Sequence, residues 1–469
     1  VKFTSAGLVS AGADLFAPFT VQVRLDPGSE LADSSPGEVV DLVFERVLRA
    51  LPERRVSGIA RLGDKRLFAK IFYGEKPRRY WQRELLGAQR LAKAKVPTPI
   101  VLARGAMADD GGYVVCYEAL NDVSSLNPNQ LTEVLAATRL LAELHEAGFV
   151  QSDVHVGNFM QREGQVFAVD ADGVRSTHKL RHHFANLGLF MAQRAPVRDG
   201  DMDKVWDAYV EVRGEYVAKM GDVQKLIEHT DDQRNLRVAR YLKKTQRACT
   251  EFLHRESWRT SWLCDRHHWP ALQRFSVFPE EHMEAGTPLK LGNSATVVRI
   301  RVDGVAYIVK RYNVKSLSHR VRRWFKRRAR RAWCSGHHLA FLEIAAAKPI
   351  ALLEQRHGWF VGVCYLVMPD CGERHLGHML DVEDPSFPKL VDQTVSILKG
   401  LRAARIEHGD LKATNFVLRD DAVALIDYDG MRPAGVGGSE SDMKRFMRNW
   451  DEHPDVQTAW RTAIHEAGL

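Results

Sequence analysis

Two stretches of this chain carry the side chains for chemistry, and they carry them at one spacing. Asp153 is followed five positions on by Asn158, twelve further on by Asp170, and two beyond that by Asp172. Far downstream stand Asp410, Asn415, Asp427 and Asp429, each 257 residues after its counterpart. Hard oxygen donors of this kind suit a magnesium ion. A carboxylate left outside the metal shell can orient an acceptor hydroxyl and take its proton. Upstream of each set a lysine sits in a β-like run, Leu67-Phe-Ala-Lys70-Ile-Phe and Tyr307-Ile-Val-Lys310-Arg-Tyr. Such a lysine can hold nucleotide phosphates, so the combination fits phosphoryl transfer, which needs positioning and charge neutralisation more than covalent help. A lone strand-end Asp would read as a turn or cap residue. Two copies in one register read otherwise.

The elements that must position these groups recur as well. Arg55 to Ala60 and Arg66 to Phe72 alternate like paired strands around a Leu62-Gly-Asp-Lys65 turn. Tyr80 to Lys93 has helical period and ends before Pro97. Strands follow near Ile100 and Tyr113, then a helix from about Gln130 to His145. His183 to Arg255 reads as mainly helical, and the turn-rich Asp265-Arg-His-His-Trp-Pro270 reads as the joint between two copies of one domain. The second copy opens on Pro288-Leu-Lys-Leu-Gly-Asn-Ser-Ala-Thr-Val, a strand–turn–strand containing Gly292.

Both copies resemble the protein-kinase-like fold, and His408-Gly-Asp410-Leu-Lys412-Ala-Thr-Asn415 is similar to the kinase catalytic loop. More narrowly they resemble the bacterial lipopolysaccharide core kinases, which phosphorylate heptose or Kdo. The residues behind that are Gln151-Ser-Asp153-Val-His-Val-Gly-Asn158-Phe, the Asp-x-Asp strand ends, and Leu291-Gly-Asn-Ser-Ala-Thr-Val with Val309-Lys310-Arg-Tyr-Asn313. The resemblance implies an α+β chain of two tandem bilobal kinase-like domains, residues 1–262 and 263–469, each with a small antiparallel β lobe and a larger helical lobe. It implies ATP and Mg2+, with Lys70 and Lys310 on the phosphates and Glu84 pinning Lys70. Asp153 and Asp410 become catalytic bases, and Asn158, Asp170, Asn415 and Asp427 metal ligands. Asp172 rivals Asp170, and Asp429 likewise Asp427, because no Asp-Phe-Gly marks the register. Glu118 and Ala119 fall at the hinge that meets adenine, and Gly292 in the loop that covers phosphate.

The copies depart from that pattern in different places. No acidic residue lies between Asp303 and Glu343, so Lys310 is expected to lack the ion-pair partner that Glu84 gives Lys70. The first copy has Gln151 where the second has His408, and it lacks a clear glycine-rich loop. The first is favoured as the catalytic copy, because an unpaired lysine is hard to position.

The 469 residues are enough for two domains, and 45% hydrophobic with 27% charged residues excludes wholesale disorder and fibrous classes. No apolar run is long enough to span a bilayer. Six cysteines without paired spacing argue for a reducing, cytoplasmic setting. The net charge of +8 favours an anionic partner. Arg320-Val-Arg-Arg-Trp-Phe-Lys-Arg-Arg-Ala-Arg-Arg331 has no compensating acids nearby, and Trp324 and Phe325 add apolar anchors. It suits a lipopolysaccharide core, another anionic glycolipid or the inner membrane face, reached peripherally, rather than nucleic acid.

Overall fold

Alternation decides which way each lysine strand faces. Along Lys65–Tyr73, the side chains of Leu67, Ala69, Ile71 and Tyr73 enter one apolar core, while Phe68 and Phe72 pack on a second. Lys70, two residues from each phenylalanine, belongs to that second side. Along Val305–Tyr312, Tyr307 and Val309 enter one core while Ile308 and Tyr312 pack on another, again with Lys310 on the latter side. Each lysine thus stands under a strand layer and above the helices that complete the second core.

The structure, a computed structural model, describes the chain apart from residues 13–14, 16–17, 28, 32–38, 314–327, 359, 420–421 and 436–437. It mixes helices with several sheets and divides into two compact units: residues 1–194 with 200–233, and residues 195–199 with 234–469. The boundary expected at 262/263 falls inside the strand Thr260–Asp265, which pairs with Phe252–Glu256 and Ala351–His357 in the second unit's sheet. The expected joint at Asp265–Pro270 is instead a short 3-10 turn followed by the helix Trp269–Val277. The division lies within the helix Val223–Thr245, whose sequence has no glycine or proline to announce it.

One strand order appears in both units. In the first, Val39–Leu51, Arg55–Leu62, Lys65–Tyr73, Gly112–Glu118 and Val101–Met107 lie side by side in that order. In the second, Thr287–Leu291, Ala295–Val302, Val305–Tyr312, Phe360–Pro369 and Ala351–His357 do the same. The lysine strand is central in each. The flanks differ. In the first unit Phe19–Leu25 pairs with both Val39–Leu51 and Val101–Met107, closing a six-stranded barrel, and Lys2–Phe3 adds a parallel strand outside it. The expected small antiparallel lobe is therefore a closed barrel there. In the second unit Thr287–Leu291 is an edge strand, exposed along its whole length, and the two strands around Trp258 extend the opposite edge.

A helix follows each lysine strand. Pro77–Ala94 starts with Pro77 in its first turn, where the missing N–H costs nothing. It buries Glu84, Gly87, Ala88 and Leu91, one stripe at helical spacing. Gly87 is required: a Cβ there would lie 1.8 Å from the carbonyl oxygen of Ala171. The absent side chain lets the helix touch the backbone between Asp170 and Asp172. The helix Arg328–Phe341 uses Gly336 similarly, where a Cβ would lie 2.3 Å from Pro349 and 2.9 Å from Tyr428. Below them the helices Leu131–Glu146 and Phe387–Ala403 bury apolar faces in the second core of their units. Among the described residues no helix is long and apolar enough to cross a membrane.

Candidate functional site

In the first unit, Lys70 is buried and its Nζ lies 2.6 Å from Glu84 Oε1 and 3.0 Å from Asp170 Oδ1. Tyr117 donates its hydroxyl to the same Glu84 oxygen at 2.6 Å, so helix and strand are cross-tied. Asn158 donates its amide to the Asp153 carbonyl at 2.9 Å, which leaves the Asn158 side-chain oxygen for another partner. Asp153 is exposed on that loop. Glu118 ends its strand with its own N–H given to the Ile100 carbonyl at 2.9 Å, so that amide is spent, and Ala119 follows just beyond.

Three arginines crowd this site. Arg55 lies 4.0 Å from Asp170, Arg83 lies 3.0 Å from Asp172, and Arg54 lies 3.9 Å from Asp172. Arg54 and Arg55 come from the tight turn between the first two repeated strands, where the second unit has Gly292. Burial works against ionisation of Asp170, but Lys70 and Arg55 outweigh it and hold the carboxyl below its ordinary value. For Asp172 burial wins over Arg83, and the carboxyl is pushed up.

The second unit holds a cleft of about 620 Å³. Its walls include Gly292, Lys310, Asn415, Asp427 and Asp429, with Val297, Ile308, Leu366 and Met368 as apolar surfaces. Lys310 Nζ lies 2.7 Å from Asp427 Oδ1 and 3.1 Å from Asp429 Oδ2. The expectation of an unpartnered Lys310 is thus corrected. No acid comes from the following helix; instead Asp429 reaches back across the cleft and is itself held by the Tyr312 hydroxyl at 2.8 Å and Arg328 at 2.8 Å. Burial opposes ionisation of Asp427, but Lys310 outweighs it and keeps the carboxyl low. Asp427 also has φ +63°, a left-handed conformation unusual outside glycine.

The loop carrying Asp410 is tied from two sides. Asn415 donates to the Asp410 carbonyl at 2.7 Å, repeating the Asn158–Asp153 bond. From the helix Gly438–Met447, Asp442 accepts the backbone N–H of His408 at 2.6 Å and of Gly409 at 3.1 Å. Arg445, one turn on, donates to Asp410 Oδ1 and to the Gly409 carbonyl, each at 3.0 Å. Lys412 pairs with Asp410 at 2.9 Å. Burial raises the Asp410 carboxyl, but Lys412 and Arg445 together bring it below its ordinary value. His408 is buried, which lowers its pKa, and its Nε2 meets the Ile426 carbonyl at 3.1 Å. At Gly292 a Cβ would approach the Ala295 carbonyl to 2.8 Å, and Asn313 donates to the Gly292 carbonyl at 3.0 Å.

Residues that spacing did not single out include Arg54, Arg55, Arg83, Tyr312, Asp442 and Arg445. The only signal for Asp442 is an analogy: Asn186, 33 residues after Asp153 as Asp442 is 32 after Asp410, bonds the backbone of Gln151. Of the basic stretch, residues 320–327 lie outside the described residues. Arg328 and Arg330 are paired, with Asp429 and with the buried Glu354 at 2.9 Å.

No family model matches this chain, and no curated protein matches it. Among solved structures it is similar to one described as WaaP in complex with acyl carrier protein, at 16% identity and a TM-score of 0.29, over 42% of this chain and 87% of that one.

Proposed function

We propose that the chain is an ATP- and Mg2+-dependent phosphotransferase of two tandem bilobal kinase-like units, and that the second unit is the catalytic one. The observation that carries this is the 620 Å³ cleft on which Lys310, Asn415, Asp427 and Asp429 converge. That volume is in the range of small-molecule sites, and the apolar walls with a few convergent polar groups are what a nucleotide base and phosphates require. The donor set also fits magnesium: the Asn415 amide nitrogen is committed to Asp410, leaving oxygen donors from Asn415 and Asp427. The metal, when bound, neutralises charge on the transferring phosphoryl group.

The remaining steps belong to side chains. Lys310, held by Asp427 and Asp429, would contact the phosphates. Asp410 would accept a hydrogen bond from the acceptor hydroxyl and align it. The new bond joins that oxygen to the γ-phosphorus, the bond to the ADP oxygen breaks, and the hydroxyl proton passes to Asp410. Because Lys412 and Arg445 keep Asp410 ionised, it orients the hydroxyl first and takes the proton late. The acceptor proposed is a sugar hydroxyl, heptose or Kdo, of lipopolysaccharide core, met at the cytoplasmic membrane face with help from Arg320–Arg331. This rests on the sequence resemblance.

A non-catalytic role for the first unit is favoured by Arg54, Arg55 and Arg83, which occupy with fixed positive charge the acids a metal would need. In titrations of the full chain with ATP and magnesium, Lys310→Ala and Asp427→Asn are expected to abolish metal-dependent binding while Lys70→Ala leaves it. Loss with Lys70→Ala alone would move catalysis to the first unit, and no binding by the wild type would leave a scaffold. Labelled ATP offered with core oligosaccharide or with a denatured protein extract distinguishes a glycan kinase from a protein kinase.

A further inference from the structure

The helix that clamps the Asp410 loop also forms a wall of two adjoining hollows. One, of about 940 Å³, is lined by Arg402, Arg405, Lys444, Arg448 and Arg461. The acids facing it are Glu440 and Asp451. They are outnumbered by the five cations: Glu440 meets Lys444 at 3.7 Å with both side chains well exposed, a weak pair, and Asp451 accepts from the neutral Gln457 at 2.9 Å. Its floor is apolar, with buried Ile406 and Ile464 beside Met443 and Met447. The second hollow, of about 270 Å³, shares Glu440, Lys444 and Arg448 with the first and adds Ser441 and Arg445. Ser441, Lys444 and Arg445 are spaced three and four apart, so they share one helix face, and Arg448 opens the 3-10 turn that follows. Arg445 is the residue of this helix that touches Asp410. A cationic path therefore leads from the large hollow over Lys444 and Arg448 to the carboxylate assigned to the acceptor hydroxyl.

We infer that this groove holds the acceptor, and that the acceptor is a hydroxyl-rich molecule already bearing phosphate groups. Lys444, Arg448 and Arg461 bind its phosphates, the methionine and isoleucine floor takes the C–H faces of its rings, and the end nearest Arg445 presents the reacting hydroxyl. Surplus cations select anions, and the larger hollow has room for more than one sugar ring. The inference deepens the reading of the second unit as a kinase and rests on it for the word acceptor; the binding site itself is independently testable. The phosphate could stand on a soluble glycan or on a lipid headgroup.

The test is calorimetry on the full chain with fructose 1,6-bisphosphate as soluble probe, beside sedimentation with phosphatidylcholine vesicles containing phosphatidylglycerol. The double variant Arg448→Glu/Arg461→Glu is expected to lose about tenfold or more in affinity, and Arg448→Lys/Arg461→Lys to retain binding, which shows that charge rather than folding is read. Loss with the soluble probe supports a free phosphosugar, and loss with vesicles alone supports a lipid headgroup. Equal binding by wild type and the glutamate variant to both probes, or binding by the wild type to neither, overturns the proposal. ATP titration runs in parallel: a chain that binds the phosphosugar through the groove but no nucleotide keeps the site and loses the kinase.

Discussion

Asp429 does in the second unit what Glu84 does in the first, and the exchange is coordinated with a tyrosine. Glu84 takes Lys70 and the hydroxyl of Tyr117, from the neighbouring strand. Asp429 takes Lys310 and the hydroxyl of Tyr312, from the lysine strand itself. Both arrangements satisfy a buried lysine with an acid that is itself hydrogen-bonded, the condition under which a buried ion pair is tolerated. Asp429→Asn leaves Lys310 and Arg328 short of one negative charge. It is expected to cost about 3 kcal/mol of stability and to weaken ATP binding, measured by denaturant unfolding and nucleotide titration. The spacing of Asp410, Asn415 and Asp427 was legible in the sequence because it is local, fixed by one loop and one hairpin. Asp429 as the second partner of Lys310 was not, because it lies 119 residues away and sequence distance says nothing of approach across a cleft. Arg54 and Arg55 were equally hidden: a basic turn reads as solvent-facing until its neighbours are known.

At the scale of elements, the helix Gly438–Met447 fixes the geometry of the Asp410 loop. Asp442 accepts two backbone N–H groups that burial would otherwise leave without an acceptor. Asp442→Ala is expected to destabilise the second unit by about 2–4 kcal/mol, since each orphaned buried donor costs about 1–3. It should lower turnover further than Arg445→Lys does, as steady-state phosphotransfer would record. Periodicity recovered the lysine strands and the helix after Lys70 to within a few residues, because each has one buried face. It read residues 252–265 poorly: Phe252–Glu256 and Thr260–Asp265 form a hairpin that joins the sheet only through Ala351–His357, almost a hundred residues on, and short apolar runs next to a long helix look helical.

For the whole chain, the two units keep one strand order around a central lysine strand and differ in how the sheet ends. That shared strand order was legible because the sequence landmarks around it recur in order. Barrel closure was not, since Phe19–Leu25 has no counterpart in the second copy to draw attention to it. The division between units was hidden too, inside an unbroken helix rather than in a linker. The edges have a dynamic consequence. Within Val39–Leu51, Leu42–Phe44 is paired on both sides, whereas Thr287–Leu291 is bonded only to Ala295–Val302. Amide hydrogen exchange should therefore be markedly faster in Thr287–Leu291 than in Leu42–Phe44, and should slow there when ATP is added. Equal protection in the two strands would contradict this. A strand held along one margin can lift and settle like a flap over whatever enters beneath it, while its counterpart, stitched on both margins at Leu42–Phe44, is anchored in a closed barrel. The chain would then join one mouth that breathes to one that does not.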